Sequence, residues 1–219
     1  YQTEAPAISK KRRASAPKLA AAITSAMQGL GMQGGVFEVA LTALDAPAEA
    51  GLEDVGFLVA GHAGSTPRPV GKVASGGELS RIALAISVVT SQLGTAQTLI
   101  FDEVDAGVGG AVAETVGRLM KQLGLDRQVL AVTHLPQVAA CADQHLVVAK
   151  QLQGKSTESS VSQVVNSDRV NEIARMLGGA QVTDATLAHA TEMIAVQAIN
   201  TPARTIFISK TALKSKIPA

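Results

Sequence analysis

From Ala16 onward, Leu19, Ile23, Ala26, Met27 and Leu30 recur at three- and four-residue intervals, which predicts a helix behind the basic run Lys10, Lys11, Arg12 and Arg13. Gly34 and Gly35 break it. Phe37, Val39 and Leu41 then alternate with polar or small residues, and Val55 to Val59 repeats the theme, so two strands are expected. The stretch from Gly61 to Lys72 is rich in Gly, Pro and Ser and reads as an exposed loop, with Arg68 between two prolines. Beyond it Leu79, Ile82, Ile86, Val89 and Leu93 share a helical face that begins just after Gly76 and Gly77. Thr98 to Phe101 is too short for a helix and runs straight into acidic residues, so a buried strand with carboxylates at its end is predicted. Val112, Val116, Leu119 and Leu123 mark another helix, and Val129 to Val132 another strand. His145 to Ala149 and Val161 to Val165 form a hairpin around Gly154. Asp168 to Leu177 and Thr183 to Ile199 form two closing helices, the first stopped by Gly178 and Gly179. Strand and helix alternate in the central section, which implies a largely parallel α/β sheet. Thr201 to Ala219 is basic and weakly periodic, and its pattern defines no element.

Composition changes this picture only modestly. The chain has 219 residues, 47% of them hydrophobic, enough for one substantial core or at most two modest ones, and one compact domain is expected. Nineteen basic residues against 18 acidic ones give no general attraction to nucleic acid or an acidic membrane, so any such contact is local. With a single cysteine, Cys141, and no apolar run long enough to span a bilayer, a cytoplasmic setting is expected. The chain opens on Tyr1 and enters directly on a helical, basic segment, as a piece of something longer would.

Chemistry gathers in three places. Ser75-Gly76-Gly77-Glu78-Leu79-Ser80-Arg81 opens an amphipathic helix, and two readings of it are compatible. Ser75 and Glu78 suit a capping box. Adjacent glycines at unfavourable helical positions instead suit backbone N–H groups approaching a phosphate at a positive helix end. About two dozen residues on, Thr98-Leu99-Ile100-Phe101 delivers Asp102 and Glu103 from the end of a strand. One carboxylate can then hold Mg²⁺, directly or through water, and the second can orient or deprotonate an attacking water; Asp102 takes the first role and Glu103 the second. The run from Asp105 to Gly110 reads as a loop lining a subunit junction. Val132-Thr133-His134-Leu135-Pro136 ends a strand in a histidine that could donate to a γ-phosphate, whereas His62, His145 and His189 have no comparable setting. The segment A-K-Q-L-Q-G-K-S over 149–156 ends like a phosphate-binding P-loop, but Ala149 replaces the first glycine and the context is a hairpin, so Gly154-Lys155 is read as a turn. No other stretch matches G-x-x-x-x-G-K-[ST].

Together these residues resemble a known family. Ser75 to Glu78 is similar to the signature motif of ABC ATPases, Leu99 to Glu103 to a Walker B strand, Asp105 to the D-loop and His134 to the switch histidine, in the order found in the C-terminal lobe of an ABC-type head. More narrowly, Gly71 to Arg81, Thr98 to Gly107 and Val132 to Ala139 resemble the RecN family of bacterial double-strand-break repair and recombination ATPases, which belongs with the structural-maintenance-of-chromosomes (SMC) proteins. The resemblance implies an α/β fold, a largely parallel sheet flanked by helices. It divides the chain into the end of a coiled-coil arm over 1–30, the head lobe over 31–199 and an undefined basic tail over 200–219. It implies ATP and Mg²⁺ as ligands, with the P-loop supplied by the protein's own N-terminal lobe. Asp102, Glu103 and His134 would serve that nucleotide, while Ser75, Gly76, Gly77 and Glu78 would act in trans on ATP held by a second head of a homodimer. DNA would be engaged by the full-length protein at the nucleoid, with no membrane partner. An ABC transporter lobe and a non-catalytic interaction module are the alternatives. The charged opening helix with two strands, in place of a helical subdomain, disfavours the first; Glu103 and His134 disfavour the second.

Overall fold

The computed structural model describes residues 1–73, 75–91, 93, 96–153, 156–179, 181–197 and 204–214. They divide into two compact units, Tyr1–Thr90 and Ser91–Ala219.

In the first unit, α1 (Glu4–Gln28) packs on the antiparallel pair β1 (Val36–Ala48) and β2 (Gly51–Ala60), and also on α2 (Gly76–Val89). The helix starts well before Ala16 and takes in the basic run, with Pro17 inside it. Ile23, Met27, Leu30, Met32, Phe37, Ile82 and Leu84 form the buried core, so the spacing in α1 marks the inward face. In α2 Ile82 is buried, but Leu79 is exposed, Leu93 lies beyond the helix end at Val89 and is 82% exposed, and Leu84 and Ala85 turn inward instead. Arg12 and Arg13 of the basic run are engaged by the hairpin. Glu53, buried in β2, accepts from Ser9 Oγ at 2.7 Å and pairs with Arg13 at 3.2 Å and Arg12 at 3.7 Å. Arg12 also donates to the Ala50 carbonyl at 2.7 Å, tying α1 to the hairpin. A two-residue strand β3 (Arg68–Pro69) and a 3₁₀ turn over Val70–Lys72 lie within the expected loop.

The second unit is a five-stranded sheet in the order β4-β5-β8-β6-β7. β4 (Thr98–Phe101), β5 (Gln128–Thr133), β8 (Arg204–Lys214) and β6 (Gln144–Gln153) are parallel, and β7 (Ser156–Val164) closes one edge antiparallel to β6. α3 (Gly110–Leu123), the short α4 (Pro136–Ala139), α5 (Asn166–Gly178) and α6 (Asp184–Gln197) complete it. Gln153 pairs with Ser156, as the hairpin reading requires, while Gly154 and Lys155 lie outside the described residues. Ala198 and Ile199, expected at the end of α6, are outside them too.

Two expectations are corrected. β4 is an edge strand rather than a buried one: Phe101 is buried, but Ile100 is 71% exposed. The stretch left without an element contains β8, which enters the middle of the sheet with Thr205, Phe207 and Ser209 fully buried. Its apolar run, Ile206 to Ile208, is too short to declare itself, and its pairing partners are distant in sequence.

Candidate functional site

The signature segment belongs to the first unit, the carboxylates and His134 to the second. In the first unit Ser75 is extended and caps α2, its Oγ accepting from Glu78 N at 3.4 Å while its carbonyl accepts from Leu79 N at 3.0 Å. Ser75 and Gly76 are exposed and Gly77 is buried; Ala74 lies outside the described residues. The Glu78 carboxylate lies beside Gly61, where an added Cβ would be 3.5 Å from Oε2. A cavity of about 330 Å³ opens next to the cap, lined by His62, Ser65, Arg68, Lys72 and Glu78 among others. The cap explains Ser75, and the exposed backbone at Gly76 remains accessible to an anion. Arg68 was noted in the sequence only as a loop residue between two prolines, and neither it nor Lys72, three positions before Ser75, was read as a site residue.

In the second unit, β4 ends at Phe101, and Asp102 and Glu103 follow it into solvent. Glu103 has a positive φ of 56°, rare for a side chain with a Cβ, and its N–H donates to Asp102 Oδ1 at 3.0 Å. Held strain of this kind is characteristic of functional turns. Val104 is buried behind them, so the turn is anchored by its apolar neighbour while the carboxylates stay outside.

Asp105 faces inward. It is 1% exposed, and its Oδ2 accepts from Thr133 Oγ1, from His134 N at 3.0 Å and from Leu135 N at 3.3 Å. His134 Nδ1 is 3.3 Å from the same oxygen, and the ring is otherwise exposed. The loop after β4 therefore fixes the loop after β5, because parallel neighbours end side by side. Asp102, Glu103, Asp105, Ala106, Val132, Thr133 and His134 line one cavity of about 330 Å³ at the C-terminal ends of β4 and β5. That is where open parallel sheets bind ligands. Thr133, whose hydroxyl holds Asp105, was missed by sequence reasoning; its only signal was adjacency to His134.

The carboxylate oxygens of Asp102 and Glu103 at this edge suit a hard cation such as Mg²⁺. Among the described residues no three His, Cys, Asp or Glu side chains converge to form a protein-only metal site. A cation here would thus share its coordination with a ligand's oxygens, as in phosphate-bearing sites.

Comparison with known proteins fits this geometry. Over 198 residues, 89% of its length, the chain is 43% identical to the DNA repair protein RecN of Vibrio cholerae. The corresponding protein of Haemophilus influenzae is 43% identical over 88% of the chain. The chain belongs with the RecN proteins. It spans about a third of the length of these relatives, 36% and 35% respectively. No family model matches it. Among solved structures, the Smc head domain with a coiled coil and joint from Pyrococcus yayanosii aligns with a TM-score of 0.51 at 21% identity, covering 71% of this chain and 28% of that one. The fold of this RecN-like chain is that of SMC-type head domains. No described helix is long and apolar enough to cross a membrane.

Proposed function

We propose that the chain is the signature-bearing C-terminal lobe of an ATP-hydrolysing head that acts in repair and recombination of DNA breaks. The observation that carries this reading is the convergence of Asp102, Glu103, Asp105 and His134 on one cavity at the ends of two parallel strands. Asp102 would hold the Mg²⁺ that accompanies ATP, which when bound would supply positive charge to offset that of the phosphates. Glu103, held in its turn beside Asp102, orients and deprotonates the attacking water. His134 donates to the terminal phosphate, and Asp105 positions it by gripping the backbone N–H groups of residues 134 and 135. The β-phosphate cradle and its lysine come from the protein's own N-terminal P-loop lobe. Ser75, Gly76, Gly77 and Glu78 act in trans, facing ATP held by a second head, so that nucleotide binding pairs two heads and hydrolysis releases them. DNA is engaged by the full-length protein through a coiled-coil arm of which α1 is the end.

The test is Glu103→Gln in a head completed with the part of the Vibrio cholerae relative that lies outside the match. The substitution keeps size and polarity but removes the base. Turnover is expected to fall about 100-fold or more, with ATP-bound paired heads accumulating. Hydrolysis at the parental rate would remove Glu103 from the role given to it.

A further inference from the structure

β5 and β6 are consecutive strands and run parallel, yet they are not neighbours: β8 lies between them and pairs with both. Residues 134–143, with α4, carry the chain past this slot. Without an occupant, the facing edges of β5 and β6 would leave two rows of backbone donors and acceptors unpaired in the middle of a sheet. Some strand has to fill it.

Which strand does so matters, because the slot borders the candidate site. β5 ends at Thr133 and His134, and in an open parallel sheet the loops after neighbouring strands close around the ligand. A phosphate-cradling loop follows directly on its strand, so the strand beside β5 is well placed to carry one. β8 reads R-T-I-F-I-S-K-T-A-L-K, with no glycine and no phosphate-loop pattern. Its seating is also partly polar. Thr205 Oγ1 donates to Asp143 Oδ2 and accepts from Asp143 N at 2.9 Å. Ser209 Oγ donates to Glu172 Oε1 at 2.7 Å and lies 3.0 Å from His145 Nε2. Among the side chains of β8 that are described, those of residues 204–209, Phe207, fully buried between these two hydroxyl residues, is the one large apolar anchor wholly out of solvent.

We propose that β8 is a stand-in strand: it occupies the slot that a strand of the complementing lobe, followed by a glycine-rich phosphate loop, enters when the head is completed, and it leaves when that strand arrives. This rests on reading the chain as one lobe of a two-lobe head. The matched stretch is 36% of the Vibrio cholerae relative, so the greater part of such a protein lies outside it and is available to supply the strand. Exchange of one strand for another in a fixed slot is a known mode of recognition, in which backbone hydrogen bonds give affinity and side-chain pockets give specificity. The incoming strand has to meet Asp143, His145 and Glu172 with small polar groups and fill the place of Phe207.

The experiment locks and loosens β8. Leu130 and Ile206 are paired across β5 and β8, so Leu130→Cys with Ile206→Cys can be bridged by oxidation and released by reduction. Cys141 is buried, which pushes its thiol up to about 12, and it stays out of the exchange. The full chain is titrated with the part of the Vibrio cholerae relative outside the match, following affinity and hydrogen exchange of the β8 amides. Reduced protein is expected to bind at least about ten-fold more tightly than oxidised, because only the reduced form can populate the open slot. β8 amides are expected to lose protection on binding. Phe207→Ala, which weakens β8 and leaves the lining of the slot intact, is expected to bind more tightly than the parent. If that variant does not fold, the oxidised and reduced forms decide the matter alone. Equal binding by both forms with β8 still protected overturns the stand-in role and leaves the two-lobe reading in place. No binding by either form overturns the two-lobe reading, and the stand-in role with it.

Discussion

Asp105 concentrates more structure in one atom than any other residue near the site. Its Oδ2 receives the Thr133 hydroxyl in a buried bond and two backbone N–H groups in part-buried ones. Asp105→Ala leaves these donors unpaired and is expected to cost about 3 kcal/mol in urea denaturation, with faster hydrogen exchange at His134 and Leu135. Unchanged exchange there would remove Asp105 from its positioning role. His145, for which the sequence offered no setting, is a core residue. Burial, with Arg169 nearby, lowers its pKa from 6.5 to about 4, so it is neutral in the fold. The unfolded chain takes up its proton near pH 6.5, whereas the folded chain resists until about pH 4. The stabilising contribution is therefore complete above pH 6.5 and is lost as pH falls toward 4, on the order of 3 kcal/mol in full. Comparing denaturation at pH 7 and 4.5 for the parent and His145→Gln isolates it: the parent is expected to lose more. Sequence reading singled out Asp105 and His134, but the bond between them joins positions 29 apart and left no local mark. Glu53, partner of the basic run, was invisible for the same reason.

At the scale of elements, helices with clear three- and four-residue periodicity were read to within a few residues, since their spacing reports which face is buried. In α1 the apolar stripe begins only at Ala16, and the helix runs ahead of it through the basic residues. Strand placement was less legible: β4 as an edge and β8 as a centre are decided by tertiary pairing, β4 has only four residues, and the inward positions of β8, Thr205, Phe207 and Ser209, include two polar side chains. Two substitutions test element packing. In α3 a glycine-to-alanine change would ordinarily gain about 1 kcal/mol. At Gly117 the added Cβ would lie 2.6 Å from Cys141 Sγ and 3.2 Å from the Val138 backbone, where α3 meets α4. Gly117→Ala is accordingly expected to destabilise by about 1–3 kcal/mol, and a gain in denaturation midpoint would show that α4 yields freely. In α2, Ser75→Ala removes a cap whose bond is already long at 3.4 Å, so a loss of about 1 kcal/mol or less is expected. Ser75→Arg loses the same cap and adds bulk at the exposed helix start. In a completed head it is expected to block ATP-dependent pairing, seen by light scattering, while ATP binding within one head persists. Normal pairing by Ser75→Arg would reduce Ser75 to Glu78 to a capping box.

At the scale of the whole molecule, the motifs, the RecN relatives and the cavity at the ends of β4 and β5 point to one division of labour. In the function proposed above, this chain would hold the metal-binding, water-activating and phosphate-sensing groups, and the cradle for the β-phosphate would belong to a partner lobe. The most direct test is steady-state ATP hydrolysis by the purified chain, alone and mixed with the part of the Vibrio cholerae relative outside the match, with Glu103→Gln as control. The chain alone is expected to show no turnover above background, and activity is expected on mixing and to vanish with the substitution. Specific, Glu103-dependent turnover by the chain alone, or a mixture that stays inactive, would contradict the account.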